Sequence, residues 1–388
     1  MADPSIREIE RRAEAGDADA QYALAAVFAA RGQADLARAS LNRAAAQGHA
    51  DALFTLAGAL LTRTEGAREQ RGAAVAGLKE ARDKGSVAAL RVLAALTAGG
   101  LDGGDADWTG ALLMMREACD RDDPAAMREI AALLLEIAPD DEDGAALLRE
   151  ASRRDTLAKT LVDRRRGRGI AQGAGALSLD RAFARLAAIT DKGAYEQISS
   201  GPRIGIVRAA FGPDLCDHLI GVALPRLKRG QVLGADGQRR TDAHRTSWGA
   251  LLGFGFTDLP TVYAGQRMAR LAELPHSHAE AMSIFRYQPG QEYRVHYDFL
   301  GPNDADLGAH GQRLKTVLGY LNDGYGGGET YFLAPDIRIA GKTGDILVFD
   351  NVDAFGAPDF NSRHAGLPVT RGVKWLASLW FRDRPWSG

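Results

Sequence analysis

The sequence has little cysteine, almost no net charge and no long apolar run. Its 388 residues include only two cysteines, Cys119 and Cys216, which are too few for a disulfide framework or a cysteine zinc site. We expect both to be buried, unreactive thiols. The formal net charge of −2 provides neither a basic excess for nucleic acid nor an acidic tail, so no nucleic-acid partner is predicted.

The N-terminal stretch MADPSIREIERRAEAGDADA lacks the basic and apolar regions of a secretory signal peptide. No apolar run is long enough to span a bilayer, so no membrane partner is predicted either. We therefore expect a cytoplasmic protein, a location that would keep a redox-active metal reduced.

A repeated pattern fills the first half of the chain. The segments GDADAQYALA, GHADALFTLA, GSVAALRVLA and DDPAAMREIA begin at Gly16, Gly48, Gly85 and Asp122, so successive starts lie 32 to 37 residues apart, and a degraded copy begins at Asp155. This period is typical of stacked helix pairs. Alanine and leucine in each copy form one helical stripe, and the Gly or Asp at its head ends the preceding helix.

The stretch AAAQGHADALFTLAGALL, residues 44–61, resembles the Sel-one-like repeats, which are related to the tetratricopeptide repeat. The resemblance implies an α-helical solenoid over residues 1–168. Such a solenoid buries its apolar faces only by stacking and presents an extended surface. Two roles stay open for it, which are docking of a substrate or partner protein and bracing of the rest of the chain.

The segment DRRRGRGIAQGAGA, residues 163–176, is rich in Arg and Gly and reads as a connector. Residues 164–168 contain four arginines without interleaved aromatics, so a solvated charge run is favoured over a nucleic-acid patch. The following SLDRAFARLAAITDKG predicts one more helix. We assign residues 169–200 to a connector that contains this helix.

The second half changes from helical to strand-like patterning. Its short segments are rich in β-branched and aromatic residues and are separated by Gly, Pro, Asn and Asp. The segments are RIGIVRAAF, AMSIFRYQPG, EYRVHYDFL, RLKTVLGYLN, ETYFLA, DILVFD and KWLASLWFR, and DLCDHLIGVALPRLK is predicted to be a helix. The predicted fold is therefore a two-domain α + β chain, with a helical repeat solenoid followed by a sandwich or jelly roll.

One strand carries a possible metal site. In RVHYDFL, His296 and Asp298 are two residues apart and so share one face of a strand. The pair alone is weak evidence, because solvated His and Asp pairs are common. His364, downstream in SRHAGLPVTRGVKW, supplies a third ligand, and two histidines with one carboxylate form the facial triad of non-haem Fe(II) oxygenases.

Such a triad leaves three coordination positions on the iron. 2-Oxoglutarate fills two of them by chelation and O₂ fills the third. The distal carboxylate of 2-oxoglutarate then requires a cation, and Lys374 lies ten residues past His364 in the apolar strand VKWLASLW. Burial of an unpaired ammonium is costly, so Lys374 is predicted to meet an anion, unless it lies on a surface edge strand.

Residues 202–382 resemble the prolyl 4-hydroxylase family of Fe(II)/2-oxoglutarate dioxygenases. The matching segments occur in the family's order: HRTSWGALL, FRYQPGQEYRVHYDFL, GQRLKTVLGYLND, GGGETYF, GDILVFDN and HAGLPVTRGVKWLASLWFR. The resemblance implies a double-stranded β-helix, or jelly roll, over residues 201–388. The segment NVDAFGAPDFNSR before His364 departs from the family pattern, which leaves the substrate open.

The resemblance implies iron ligation by His296, Asp298 and His364 and anchoring of 2-oxoglutarate by Lys374. It also implies that Tyr287 and Thr330 contact 2-oxoglutarate, that Arg313 faces the substrate, and that ascorbate is a further small-molecule ligand. Ordinary strand packing for Tyr287 and Thr330, and a surface ion pair for Arg313, are the alternatives.

We therefore expect a dioxygenase that hydroxylates an unactivated C–H bond, with a prolyl residue of a peptide or protein as the leading substrate. A free amino acid or small peptide natural product is the second hypothesis. A non-catalytic repeat scaffold is the third, although a decayed enzyme would be expected to have lost the triad or Lys374.

Overall fold

A computed structural model describes residues 4–61, 67–168, 178–186, 194–229, 231–233, 239–241, 245–253, 255 and 257–386. By its packing the chain divides into two compact units. The first contains residues 1–126 and 254–258, and the second contains residues 127–253 and 259–388. No helix in the described ranges combines the length and apolarity needed to cross a membrane.

The first half consists of helices. In chain order they are α1 Pro4–Glu14, α2 Ala18–Ala30, α3 Ala34–Ala46, α4 Ala50–Leu61, α5 Ala67–Asp83, α6 Val87–Gly99, α7 Trp108–Asp120, α8 Pro124–Ile137, α9 Glu142–Ala151, α10 Thr156–Gly167 and α11 Leu179–Leu186. The predicted helical repeats are confirmed, although the helix predicted over SLDRAFARLAAITDKG is described only up to Leu186.

Each repeat head both ends one helix and starts the next. The head residues adopt the left-handed backbone conformation that stops a helix, at Gly16, Gly48, Gly85 and Asp122. The next residue then caps the new helix by accepting the N–H of an alanine three residues on, as seen at Asp17, His49, Ser86, Asp123 and Asp155. The repeated sequence therefore encodes a repeated stop-and-start signal.

Polar contacts connect successive repeats within the first unit. The Asp19 carboxylate lies 3.2 Å from His49 Nε2, and the Ser86 hydroxyl donates to Asp51 Oδ1 at 3.1 Å. Both aspartates are the second residue after their own cap, and both partners are the cap of the following repeat. The period of the sequence thus fixes the stacking of neighbouring helix pairs as well as the helix starts.

The arginines at 164–168 are not the solvated run that composition favours. Arg165 is 1% exposed and donates to Asp214 Oδ2 at 2.6 Å, while Arg164 and Arg168 pair with Asp217. Asp214 and Asp217 lie on α12 (Pro213–Ala223), a predicted helix that the structure confirms. Buried carboxylates on α12 require positive partners, so the end of α10 is part of the second unit's core rather than a connector surface.

The second unit contains the strands. They are β1 Tyr195–Ser200, β2 Arg203–Val207, β3 Lys228–Arg229, β4 Gln231–Leu233, β5 Arg239–Thr241, β6 Trp248–Leu252, β7 Met282–Tyr287, β8 Tyr293–His296, β9 Arg313–Tyr320, β10 Gly326–Gly327, β11 Thr330–Phe332, β12 Ile337–Ile339, β13 Ile346–Asp350, β14 His364–Gly366, β15 Val369–Arg371 and β16 Lys374–Arg382. Every strand predicted from the sequence is present. The sequence did not predict the helices α13 (Leu259–Ala272) and α14 (Ala305–His310), nor several short strands, among them β1, β3, β4, β5, β6, β10 and β12.

Two antiparallel sheets enclose the core. One has eight strands in the order β1-β2-β13-β9-β16-β7-β6-β3, and the other has four in the order β12-β11-β14-β8. A shared apolar cluster joins residues of the larger sheet, such as Tyr320, Phe349 and Leu376, to Phe332 and Ile339 of the smaller one. This arrangement confirms the predicted jelly roll. Cys119 and Cys216 are both buried, as expected, and neither forms a disulfide within the described part of the chain.

Candidate active site

The structure brings the three predicted metal ligands together. His296 ends β8 and His364 begins β14, and the two histidines are direct cross-strand partners in the smaller sheet. Their ring centroids are 4.3 Å apart. Asp298 lies between them, with its carboxylate oxygens 3.6 Å from His296 Nε2 and 3.7 Å from His364 Nε2. Within the described part of the chain, no other group of His, Cys, Asp and Glu side chains is arranged to hold a metal.

Backbone carbonyls orient both imidazoles. His296 Nδ1 lies 2.7 Å from the Arg294 carbonyl oxygen, and His364 Nδ1 lies 2.9 Å from the Ser362 carbonyl oxygen. In each case Nδ1 must carry the proton and donate it, so the lone pair is on Nε2, which faces Asp298. Ligating histidines are generally held in this way.

A buried hydrogen-bond chain holds the Asp298 carboxylate. The Thr316 hydroxyl donates to Asp298 Oδ2 at 2.7 Å, and Asn351 Nδ2 donates to that hydroxyl oxygen at 2.9 Å. Burial alone would raise the pKa of Asp298, but the neighbouring imidazoles and Arg313 outweigh burial and hold the pKa well below its ordinary value. The carboxyl group is therefore ionised and can ligate a cation.

The donor set fits Fe(II). Burial, together with the nearby His296, lowers the pKa of His364 to about 4, so this imidazole is neutral and available as a ligand at neutral pH. One carboxylate and two imidazoles on one side of a cavity leave the opposite side open for other ligands. Both cysteines lie outside this set, so no thiolate favours zinc.

Lys374 lies in the same cavity as a buried cation without an anionic partner. It is 2% exposed, and its ammonium donates to the Gly328 carbonyl oxygen at 2.6 Å. No carboxylate of the described residues forms an ion pair with it, and burial lowers the pKa of Lys374 to about 8. An ammonium has three donors, so Lys374 can still bind a carboxylate. Lys374 is thus buried rather than on a surface edge, and the cavity can accept the distal carboxylate of 2-oxoglutarate.

Gly328 approaches Lys374 because it has no side chain. Its φ is +72°, and a Cβ atom there would lie 3.2 Å from Lys374 Cδ and 3.1 Å from Val369 Cγ2. The glycine run at 326–328 therefore serves to bring a carbonyl oxygen against the buried ammonium.

Tyr287 and Thr330 both line the cavity with Lys374. Tyr287 is the cross-strand partner of Lys374, and the lysine Nζ lies 5.7 Å from the centre of its ring. The Thr330 hydroxyl is 2.8 Å from the Tyr320 hydroxyl, a partner that the sequence did not indicate. Their predicted contact with 2-oxoglutarate stays a prediction.

The Arg313 side chain contacts other protein groups. Its guanidinium forms a two-point ion pair with Glu280, at 2.6 and 2.8 Å, and covers the Trp380 ring at 4.4 Å. Its Nη1 is also 3.5 Å from the backbone carbonyl oxygen of Asp298. In this structure Arg313 thus contacts the backbone of Asp298. Its predicted role towards the substrate stays a prediction.

The cavity holds further polar groups that sequence reasoning did not single out. The cavity opens to solvent. Arg245 lies at its wall with the guanidinium 3.7 Å from the Phe285 ring centre and 4.2 Å from that of Tyr293. Ser378 Oγ and Trp380 Nε1 are buried and have no hydrogen-bond partner among the described residues. Residues 374, 376, 378 and 380 all line the cavity, so an alternation count along β16 from Lys374 could have identified Ser378 and Trp380.

Three further described histidines, His276, His278 and His310, are not part of the metal-ligand group. His278 Nδ1 contacts the Arg382 carbonyl oxygen, His310 packs on Trp386, and burial lowers the pKa of His276 to about 4. The segment GADGQRRTDAHRTS, residues 234–247, is a candidate substrate loop because of its glycine and charge content. It lies largely outside the described residues, which include only 239–241 and 245–247 of it.

Comparisons with known proteins agree with this geometry. A family model for the 2OG-Fe(II) oxygenase superfamily matches residues 282–382. Prolyl 4-hydroxylase 1 of Arabidopsis thaliana is 32% identical over 207 residues, which cover 50% of this chain and 73% of that protein.

Two solved structures are similar to different parts of the chain. The viral collagen prolyl hydroxylase of Paramecium Bursaria Chlorella virus-1, solved as a 2OG complex, is 26% identical over 47% of this chain and 97% of its own, with a TM-score of 0.36. A protective antigen of uropathogenic Escherichia coli displaying an SLR fold is 22% identical over 43% of this chain and 38% of its own, with a TM-score of 0.32.

The jelly roll, the metal-ligand triad and the superfamily match define an Fe(II)- and 2-oxoglutarate-dependent dioxygenase, which uses O₂ as its second cosubstrate. Within that superfamily, the chain belongs to the prolyl 4-hydroxylase family. The non-catalytic scaffold is therefore no longer a competing account.

Proposed function

We propose that this dioxygenase hydroxylates a prolyl residue in a peptide or protein. The observation that carries the proposal is the joint presence, in one cavity, of the His296, Asp298 and His364 triad and the buried Lys374, which forms no ion pair with a described carboxylate. The family membership supports the choice of a prolyl residue.

Each residue of the site has a defined task. His296, Asp298 and His364 hold Fe(II), with Thr316 and Asn351 fixing the carboxylate. Lys374 binds the distal carboxylate of 2-oxoglutarate, and Tyr287 and Thr330 lie beside it. When bound, Fe(II) and 2-oxoglutarate supply the oxidation: O₂ converts 2-oxoglutarate to succinate and CO₂, and its second oxygen atom becomes the hydroxyl group on the substrate carbon.

The cavity walls suit an apolar ring next to a polar backbone. The rings of Phe285, Tyr293 and Trp380 form an apolar cluster that can enclose a pyrrolidine ring and exclude water. The Arg245 guanidinium and the Trp380 indole N–H can donate to carbonyl oxygens of the same peptide.

Succinate release provides the first test. We would measure Fe(II) and 2-oxoglutarate binding without oxygen and then succinate formation on exposure to air. The wild type is expected to bind both and to release more succinate when a proline-containing peptide is present. The His364→Ala variant should lose Fe(II) binding, and Lys374→Ala should lose 2-oxoglutarate binding while keeping iron. Succinate release that no peptide stimulates would contradict the proposal.

A free amino acid or a small peptide natural product is the alternative substrate. The opening of the cavity to solvent is compatible with a small molecule. Competition distinguishes the two: if free proline inhibits peptide hydroxylation at concentrations near its own KM, a small molecule is the better assignment. We favour the peptide because of the family membership of the chain.

We further propose that the helical repeats dock the substrate or a partner protein. The regular stacking of capped helix pairs supports this role, because stacked repeats offer an extended surface.

We also propose a cytoplasmic location for the protein and the use of ascorbate to keep the iron ferrous. Stimulation of turnover by ascorbate, compared with an equal concentration of dithiothreitol, tests the latter.

A further inference from the structure

The catalytic cavity contains a second cation that forms no ion pair with a described carboxylate. Arg245 lines the cavity together with Lys374 and the metal ligands. The nearby carboxylates Glu280 and Glu292 each pair with another arginine. Arg245 Nε is buried and has no hydrogen-bond partner in the described part of the chain. Burial of a charged group without a partner is costly, so this guanidinium calls for an anionic ligand.

Aromatic rings and backbone pairing hold Arg245 in place. Its guanidinium carbon lies 3.7 Å from the centre of the Phe285 ring and 4.2 Å from that of the Tyr293 ring. Arg245 is also the antiparallel bridge partner of Tyr293, and the next residue, Thr246, exchanges hydrogen bonds with the backbone of Glu292. The cation is therefore positioned before a ligand arrives, which lowers the cost of ordering it on binding.

These contacts place Arg245 on the metal side of the cavity. The Tyr293 ring, which Arg245 contacts, stacks on the imidazole of His296 with the ring centres 3.5 Å apart. Lys374 instead contacts the Gly328 carbonyl oxygen. Arg245 thus lies beside the metal ligands, where the substrate is oxidised, while Lys374 is the cation for the distal carboxylate of 2-oxoglutarate.

The metal and the cosubstrate do not neutralise Arg245. The positive charges of Fe(II) and Lys374 equal the negative charges of Asp298 and dianionic 2-oxoglutarate, so these four groups cancel. Histidines that ligate a metal are neutral and add nothing to this balance. The loaded cavity is therefore left with the charge of Arg245, and only the substrate remains to supply the matching anion.

We infer that Arg245 binds a carboxylate of the substrate close to the prolyl residue that is hydroxylated. The inference rests on the proposed function and adds a charged recognition element to it. A guanidinium binds a carboxylate through two parallel hydrogen bonds, and such charge-assisted bonds are about twice as strong as bonds between neutral groups. An acidic side chain near the proline and a C-terminal carboxylate share this chemistry.

The test uses peptides of equal length that contain a single proline. In one set with amidated C-termini, Asp occupies each position flanking a central proline in turn, and each peptide has a partner with Asn at the same position. A further pair ends in the proline, once as the free acid and once as the amide. The two sets distinguish a side-chain carboxylate from a C-terminal one.

With the full-length wild type, at least one acidic peptide should have a KM about tenfold or more below that of its neutral partner, as expected for a hydrogen bond to a charged group. Arg245→Gln keeps amide donors without the charge and should bring the ratio of the two KM values to about one. Arg245→Lys keeps a charge without the fork and should give an intermediate ratio.

A binding measurement makes the test independent of turnover. Peptide dissociation constants, measured without oxygen and with Zn(II) in place of Fe(II), should show the same ratios as the KM values. Fe(II) affinity equal to that of the wild type verifies that the metal site of each Arg245 variant is intact. Equal dissociation constants for every acidic peptide and its neutral partner in the wild type would overturn the inference.

Arg338→Gln is the matched control. Arg338 also covers an aromatic ring, that of Tyr331 at 5.0 Å, but it is exposed on β12 and is not among the residues that line the cavity. Its KM ratios should equal those of the wild type. Ratios that fall equally in Arg338→Gln and Arg245→Gln would assign the preference to the overall charge of the protein and overturn the site.

The remaining outcomes separate the inference from the proposed function. If the wild type hydroxylates the peptides without preferring any carboxylate, or if Arg245→Gln retains the preference, the role of Arg245 is wrong while prolyl hydroxylation stands. A weaker affinity of Arg245→Gln for 2-oxoglutarate with unchanged peptide ratios would assign Arg245 to the cosubstrate instead. If the wild type binds Fe(II) and 2-oxoglutarate but hydroxylates no peptide, the proposed function fails and the inference fails with it.

Discussion

Individual side chains determine how strongly this site holds its ligands. The Asp298 carboxylate accepts a hydrogen bond from Thr316, whose hydroxyl in turn accepts one from Asn351. Every member of this chain is buried. These buried hydrogen bonds favour one orientation of the carboxylate, and that orientation faces the two histidines.

Thr316→Val tests this network. The valine keeps the volume but removes the hydroxyl donor, so Fe(II) affinity should fall about tenfold or more, as for other residues that orient metal ligands. Anaerobic titration with Fe(II) measures the change. Thr160→Val, at an exposed position of α10, is the control and should bind iron like the wild type. Unchanged affinity in Thr316→Val would show that the hydroxyl does not position Asp298.

The lowered pKa of Lys374 leads us to expect that 2-oxoglutarate binding depends on pH. In the free site burial lowers its pKa to about 8, and only the protonated amine attracts the distal carboxylate. The dissociation constant should therefore be constant below pH 8 and should rise above it, approaching about tenfold per pH unit, because binding then requires uptake of a proton. Anaerobic titrations between pH 6.5 and pH 9.5 measure this slope.

Lys374→Arg is the control for that slope, because a guanidinium stays charged over the whole range. Its affinity is expected to be lower, since the fork replaces a compact ammonium, but it should not vary with pH. A variant that retained the wild-type slope would assign the titration to another group.

Helix α10 shows that adjacent residues of the same type can have different environments. Arg165 and Arg166 are neighbours on α10 and look equivalent in sequence. Arg165 is buried against Asp214, whereas Arg166 pairs with Asp163 at a position where both side chains are more than half exposed. A helix turns by about 100° per residue, so one arginine faces the core while the next faces solvent.

These neighbours give a matched pair of stability predictions. Arg165→Ala should lower the free energy of unfolding by about 3 kcal/mol, because it leaves the buried Asp214 with only Arg168 as a cation. Arg166→Ala should change it by less than about 0.5 kcal/mol, as for other exposed pairs. Urea unfolding followed by circular dichroism measures both values, and equal losses would contradict the buried pairing.

At the scale of the whole molecule, the boundary of the catalytic unit can be placed by deletion. The second compact unit begins at residue 127, and its α8 carries Glu136, which accepts the backbone N–H of Gly212 ahead of α12. The α9 residues 142–151 and α10 residues 156–167 belong to the same unit. The predicted repeat domain ends at residue 168, whereas the second unit defined by packing begins at residue 127. The two boundaries therefore correspond to different truncations.

Deleting residues 1–123 should leave Fe(II) and 2-oxoglutarate affinity within about twofold of the full chain, since all described site contacts lie in the second unit. Deleting residues 1–168 should give an unstable protein, because Asp214 and Asp217 lose all three arginine partners. Thermal unfolding and anaerobic titration of both truncations test the boundary. Equal stability of the two would place it at 168.

The shorter truncation also tests docking by the repeats. If the repeats dock a protein substrate, KM for that substrate should rise while KM for a short proline peptide stays unchanged. A rise for the short peptide as well would contradict a separate docking surface.

The sequence alone determined the repeats, the main strands of the second unit and the group of residues that could hold a metal ion. Repeat heads and alternating strand residues act over three or four positions, and such local rules can be read directly from the chain. His296 and Asp298 were visible for the same reason, since a two-residue spacing fixes their common side.

Only the tertiary structure decided the surroundings of that site. Thr316, Asn351 and Arg245 reach it from separate parts of the chain, and the pairing of Arg165 with Asp214 joins positions 49 residues apart. Such contacts depend on strand register and on which face of a helix is buried, and neither follows from local spacing. The same reason explains why composition predicted a solvated arginine at position 165, where the structure has a buried one.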